Sequence, residues 1–216
     1  MTNGTPAIAI LGIHTGIGKT ITSAVMTEAL GAHYWKPVQA GLEERDTDTV
    51  SRLITNGPAR VHPEAVQLKM PASPHTAAAA EGITIDHTSF VFPATTSPLL
   101  VETAGGVLSP ISHHATMADF VAHFQLPAIL VSQNYLGSIN HTLAAIEVLR
   151  HRGIPLLGIV MNGTPDPSSE SFIASYTGVP IIARVPHFHN VTHEDVVACA
   201  LALRPALQSV VASLVH

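Results

Sequence analysis

Residues 12–20 read Gly-Ile-His-Thr-Gly-Ile-Gly-Lys-Thr and combine the residue types that grip a polyphosphate. Set between a buried strand and a helix, such a loop turns several backbone N–H groups toward one point, and the helix dipole adds to the attraction for an anion. Glycine lets the backbone close this tightly. Lys19 is placed to reach the β- and γ-phosphates, and the Thr20 hydroxyl to ligate Mg2+. The common form of the loop, G-x-x-x-x-G-K-[ST], is one residue shorter; here five residues separate Gly12 from Gly18. The expected ligand is a nucleoside triphosphate.

Other reactive side chains fall at the ends of apolar segments. Lys36 follows Tyr34-Trp35, and Glu102 closes Leu99-Leu100-Val101 just before Gly105-Gly106. An acid there has few structural reasons to exist, and in open α/β sheets such strand ends face the ligand. Asp46 and Asp48 share a polar stretch from Glu43 to Thr49, where an acid also serves as a helix N-cap. Gly137–Asn140 forms a turn into a helix N-terminus, a natural carboxylate receptor; the alternative is a plain N-cap at Asn140.

The elements that must position these groups alternate between short apolar runs and longer segments of helical period, the βαβ signature. Strands are expected at Ala7–Leu11, Tyr34–Val38, Leu99–Glu102, Ala128–Val131, Leu156–Met161 and Ile181–Ala183. Helices are expected from about Gly18 to Leu30, after Asp48 through Val50, Leu53 and Ile54, at Asn140–Arg152 and at Asp195–Val215. No linker or internal repeat divides the chain. The fold class is α/β: one P-loop NTPase-like domain spanning residues 1–216, with an open, mainly parallel sheet and helices on both faces.

Composition narrows the partners. Apolar residues make up 46% and charged residues 12%, which favours strands covered on both sides. A net charge of −5 offers no basic face for nucleic acid. A single cysteine, Cys199, excludes an internal disulfide framework and fits a reducing, cytoplasmic setting. Met1-Thr2-Asn3-Gly4 lacks the cationic start of a secretory signal, and no apolar run is read as long enough to span a bilayer. There are 14 histidines, most of them standing alone; His187, His189 and His193 form the one loose cluster, with no cysteine or acidic pattern to complete a metal site.

Five segments in order carry a resemblance. They are the variant loop, Tyr34-Trp35-Lys36-Pro37-Val38-Gln39-Ala40-Gly41, Ser73-Pro74-His75 with its alanine-rich run to Glu81-Gly82, Val101-Glu102-Thr103-Ala104-Gly105-Gly106, and Leu136-Gly137-Ser138-Ile139-Asn140-His141-Thr142. Together they resemble dethiobiotin synthetase of the biotin pathway, over about residues 7–188. That resemblance implies closure of a cyclic urea on 7,8-diaminononanoate from CO2 and ATP with Mg2+, through a carbamate and a carbamic-phosphoric anhydride. It implies catalytic roles for Lys36, Lys19 and Thr15, and Mg2+ ligation by Thr20, Asp48 and Glu102, with Asp46 the other candidate acid.

It further implies nucleotide contacts from Gly16, Ile17, Gly18, Lys19, Thr20, Ile21, Asp48, Glu102, Thr103, Ala104 and Gly105. The adenine end would be formed by Asn162, Gly163, Pro186, His187 and Phe188. Substrate would meet Thr15, Lys36 and Gly41, and its carboxylate the turn Gly137, Ser138, Ile139 and Asn140 of the neighbouring subunit in a homodimer. Three positions depart from the family's pattern: His14 replaces an acid, Gly41 a serine and Thr103 a glycine. His14 also stands where partition and division ATPases carry a second lysine, so their signature is absent. A fused glutaminase domain would need a catalytic cysteine and more chain. A membrane- or DNA-recruiting switch would want a basic amphipathic tail, and Leu201–Val215 offers only Arg204.

Overall fold

The structure, a computed structural model, describes residues 6–212 and residue 214. The N-terminal Met1–Gly4 reading and the expected helix end at Val215 lie outside the described residues. In chain order the first half forms β1 (Ala7–Gly12), α1 (Lys19–Leu30), β2 (His33–Trp35), β3 (Val38–Ala40), α2 (Asp46–Leu53), α3 (Gly57–Arg60), β4 (Val61–His62), β5 (Val66–Leu68) and α4 (Pro74–Ala80). There follow β6 (Leu99–Glu102), α5 (Met117–His123), β7 (Ala128–Gln133), α6 (Ser138–His151), β8 (Leu156–Asn162), α7 (Pro167–Thr177), β9 (Ile181–Val185) and α8 (His193–Ala212).

Seven strands form one parallel sheet in the order β4-β2-β6-β1-β7-β8-β9, and β3 pairs with β5 in a separate parallel pair. The pleat divides β1 between two cores: Ala9 and Leu11 join the layer of α5 and α6, while Ile8 and Ile10 join that of α1 and α8. Both faces are covered, so the central strands carry no polar side until their carboxyl ends. That is the expected architecture, an open parallel sheet with helices on both faces.

The boundaries differ in ways that matter for the site. Tyr34–Val38 is not one strand. Pro37 lacks an N–H and cannot continue the ladder, so the chain leaves the main sheet after Trp35 and resumes as β3 in the second sheet. Lys36 sits at that break. β7, β8 and β9 run past their apolar cores, pairing Gln133 with Asn162 and Asn162 with Val185, because ladder bonds continue under polar side chains. α6 begins at Ser138 rather than Asn140, with Gly137 at its N-cap at φ 98°, a left-handed conformation glycine adopts freely.

By length and composition alone, α8 is long and apolar enough to cross a bilayer, 20 residues with a mean hydropathy of 1.4 over its most apolar window. It carries Pro205 internally and packs Val196, Ala200, Leu207 and Val211 into the core beside α1.

Candidate functional site

The loop after β1 is held by its own backbone and by two neighbouring segments. Gly16 and Gly18 take φ of 76° and 85°. A side chain at Gly18 would collide with Asn162, whose amide lies 1.9 Å from the added carbon. A side chain at Gly106 would press on the loop backbone, 3.1 Å from His14 Cα. Val107 N donates to Gly12 O at 3.1 Å, tying the loop to the segment after β6. Thr15 is exposed, its hydroxyl 3.5 Å from where a side chain would begin on Gly105. Ile17 is wholly buried and Ile21 packs from the first turn of α1, so both act through the loop's shape.

Five side chains converge below the loop. Thr20 Oγ1 donates to Asp46 Oδ1 at 2.7 Å and lies 3.3 Å from Glu102 Oε1. Lys36 Nζ donates to Glu102 Oε1 at 3.2 Å and also to Asp46 Oδ2. Lys19 stands alongside, its Nζ 3.5 Å from His14 O. Burial works against the Lys36 ammonium, but Glu102 and Asp46 outweigh it and hold its pKa above the usual lysine value. Asp46 is the mirror case: burial is overcome by Lys36 and Thr20, and its pKa lies below the ordinary aspartate range. Lys19 is lowered, chiefly by burial, with Lys36 adding to the effect.

The acid that joins Thr20 is thus Asp46, which corrects the expectation for Asp48. Asp46 is the first residue of α2 and points back at the strand ends, whereas Asp48 lies one-half turn further on and faces outward. There it takes both prongs of Arg45, at 2.8 and 2.7 Å, with its side chain 63% exposed. Gln39 accepts from Asp46 N at 3.4 Å, and Thr47 donates to the buried Glu64 at 2.5 Å, fixing the helix start. Gln39 and Glu64 were not singled out from sequence, since nothing local marks a buried amide or acid as an anchor.

The oxygens of Thr20, Asp46 and Glu102 fit Mg2+. They are hard donors, and the 2.7 and 3.3 Å separations bracket the edge of about 3.0 Å between adjacent ligands at Mg–O distances of roughly 2.1 Å. Among the described residues no group of three or more His, Cys, Asp or Glu gathers to hold a metal without the threonine. His187 and His189 meet ring to ring at 5.1 Å, but His193 turns away to Leu53 O.

The remaining predicted residues fall around this centre. Thr103 is buried and bonds back to Ile10 O through both its N and its hydroxyl, so it stiffens the acid strand end rather than facing a ligand; Ala104 and Gly105 follow it. Gly41 has φ 82°, where a serine would be strained, and its N–H is spent on Leu68 O. In α6 the first intrahelical bond runs from His141 N to Gly137 O, and Ser138 N is taken by Tyr135 O. The amides of Ile139 and Asn140 are left at the helix mouth. Asn162 Nδ2 donates to Ile17 O at 2.9 Å. Since that carbonyl can only accept, Asn162 Oδ1 is directed away from it as a free acceptor. Gly163, at φ 85°, turns the chain beside it, and Pro186, His187 and Phe188 follow β9 at the same sheet end.

A network missed from sequence braces this side. Glu170 accepts from Asn134 Nδ2 at 2.6 Å and Asp166 N at 2.9 Å and pairs with Arg184, which also donates to Gly163 O at 3.3 Å. It clamps the ends of β7, β8 and β9 through residues that sequence presents as ordinary surface charges.

A glycine loop and lysine at the carboxyl end of the central strand, in an all-parallel sheet covered on both faces, define a nucleotide-binding P-loop protein. The septum site-determining protein MinD complexed with Mg-ADP, from Pyrococcus horikoshii, shares this fold with a TM-score of 0.53 at 17% identity, covering 96% of this chain and 93% of that one. A family model described as "AAA domain" matches residues 7–195. The ATP-dependent dethiobiotin synthetase of Agrobacterium fabrum is 46% identical over 86% of this chain and 88% of its own. That of Cytophaga hutchinsonii is 45% identical over 90% and 95%. The chain belongs to the ATP-dependent dethiobiotin synthetase family and is an enzyme, an ATP-dependent cyclo-ligase.

Proposed function

We propose that this protein carboxylates 7,8-diaminononanoate with CO2 and closes the ureido ring of dethiobiotin, releasing ADP and phosphate. The observation that carries this reading is the buried Lys36, held at a strand break between Asp46 and Glu102 beside the phosphate loop. One substrate amine takes up CO2 and loses a proton to become a carbamate. A carbamate oxygen then attacks the γ-phosphorus of ATP, ADP leaves, and the second amine attacks the carbonyl carbon of the mixed anhydride with loss of phosphate and a proton.

Little of this asks for covalent help; it asks for positive charge and alignment. Lys36, kept protonated by its two carboxylates, would neutralise the carbamate and the charge that develops on transfer. Lys19 and the loop amides would hold the β- and γ-phosphates, and the Thr15 hydroxyl would orient the carbamate. Mg2+, when bound, would neutralise phosphate charge and align its oxygens, and Thr20, Asp46 and Glu102 are the residues to hold it. Asn162 Oδ1 would accept from the exocyclic amine of the base, with Gly163 and Pro186–Phe188 around it. Gly41 would meet substrate only through its carbonyl, since it has no side chain and its N–H is engaged.

The substrate carboxylate would rest on the Ile139 and Asn140 amides of a second subunit, which makes the working unit a homodimer; we place it in the cytoplasm, with neither nucleic acid nor membrane as partner. The test is ADP release with diaminononanoate, bicarbonate and Mg-ATP. ADP formation should require the diamine, and Lys36→Ala should reduce turnover by about 10²–10³-fold while ADP still binds. ADP release indifferent to the diamine would sink the synthetase reading.

A further inference from the structure

Tyr34 is wholly buried in β2, in the core layer shared with α1 and α2. A buried tyrosine on an interior strand reads as packing, yet its hydroxyl is not idle. It donates to Glu102 Oε2 at 3.0 Å, while Glu102 Oε1 faces Thr20 and Lys36. The register explains the reach: Tyr34 pairs with Leu100 on β6, and Glu102 lies two residues on, on the same face of that strand. The two oxygens of one buried carboxylate therefore have separate duties.

We propose that Tyr34 is a positioning residue: its hydroxyl locks the Glu102 carboxylate so that only Oε1 is presented to the metal and to Lys36. This rests on the reading of Glu102 as a Mg2+ ligand. Partners that orient a ligating carboxylate are typically worth a factor of about 10–100 in metal affinity. Without the phenol, Glu102 would rotate toward Lys36 and leave the metal edge.

The test uses Mn2+ as a spectroscopic probe, titrated by electron paramagnetic resonance in the presence of ADP, on Tyr34→Phe, Glu102→Gln and the double variant. Tyr34→Phe should weaken Mn2+ binding about tenfold and leave metal-free ADP affinity unchanged. The double variant should lose no more than Glu102→Gln alone, because Tyr34 acts through Glu102. Mn2+ affinity in Tyr34→Phe equal to the parent's, with Glu102→Gln impaired, would overturn the proposal and leave the metal reading standing. A parallel fall in metal-free ADP affinity would overturn it too, by assigning Tyr34 to packing. Full Mn2+ affinity in Glu102→Gln would remove the metal reading itself and the proposal with it.

Discussion

At the residue scale, the site is a charge balance in a dry place. Lys19 and Lys36 face Asp46 and Glu102; Lys36 and Asp46 each hold the other's charge against burial, while Lys36 works against the charge on Lys19. Lys36 was legible from sequence because it ends an apolar run beside the loop. The choice between Asp46 and Asp48 was not, because two acids two positions apart in a polar stretch differ only in which side of a helix they occupy. Asp46→Asn should lower kcat/KM by about 10-fold or more and raise the Mg2+ requirement, given what even indirect partners of a metal contribute. Asp48→Asn should behave as the parent, since its exposed pair with Arg45 adds little. Steady-state kinetics across a Mg2+ titration checks both; equal losses in the two variants would reinstate Asp48.

At the element scale, strand ends do the positioning, and one strand edge carries a pH dependence. β4 pairs with β2 at the sheet margin, where His33 and His62 stack at 5.0 Å between ring centres and share a 2.9 Å nitrogen-to-nitrogen hydrogen bond. Burial lowers both pKa values, with Arg60 also opposing charge on His33, and His33 opposing charge on His62. The folded form therefore prefers both neutral, and the unfolded chain binds more protons below its pKa of about 6.5. Stability is complete above that value and declines as pH falls through it. The melting temperature should drop between pH about 7.5 and 5.5, and less so in His62→Asn; identical slopes would clear the pair. Several missed elements did leave local signals. Thr116 and Asp119 form a capping box at α5, and Asp166 caps α7 ahead of Pro167. β4 and β5, of two and three residues, left none, because strands so short have no period to read.

At the scale of the whole molecule, the turn into α6 exposes apolar side chains to solvent. Leu136 is fully exposed and its neighbour Tyr135 is 37% exposed, side chains suited to burial against the second copy that the proposed carboxylate site calls for. Leu136→Asp should shift the protein toward monomer in sedimentation and raise KM for the diamine at least about tenfold, with KM for ATP unchanged; the contrast follows from removing one ligand's binding energy alone. A monomer with the parent's diamine KM would refute the cross-subunit site. The sequence by itself determined the phosphate loop, the alternation of strands and helices, and the strand-end position of Glu102, because backbone periodicity and glycine geometry are local properties. Only the tertiary structure decided that Pro37 splits a strand to seat Lys36, that Asp46 and not Asp48 reaches Thr20, and that Tyr34 and Glu170 brace the site. Those outcomes depend on register between distant strands and on which face of a helix meets the sheet ends, and no short stretch of chain encodes either.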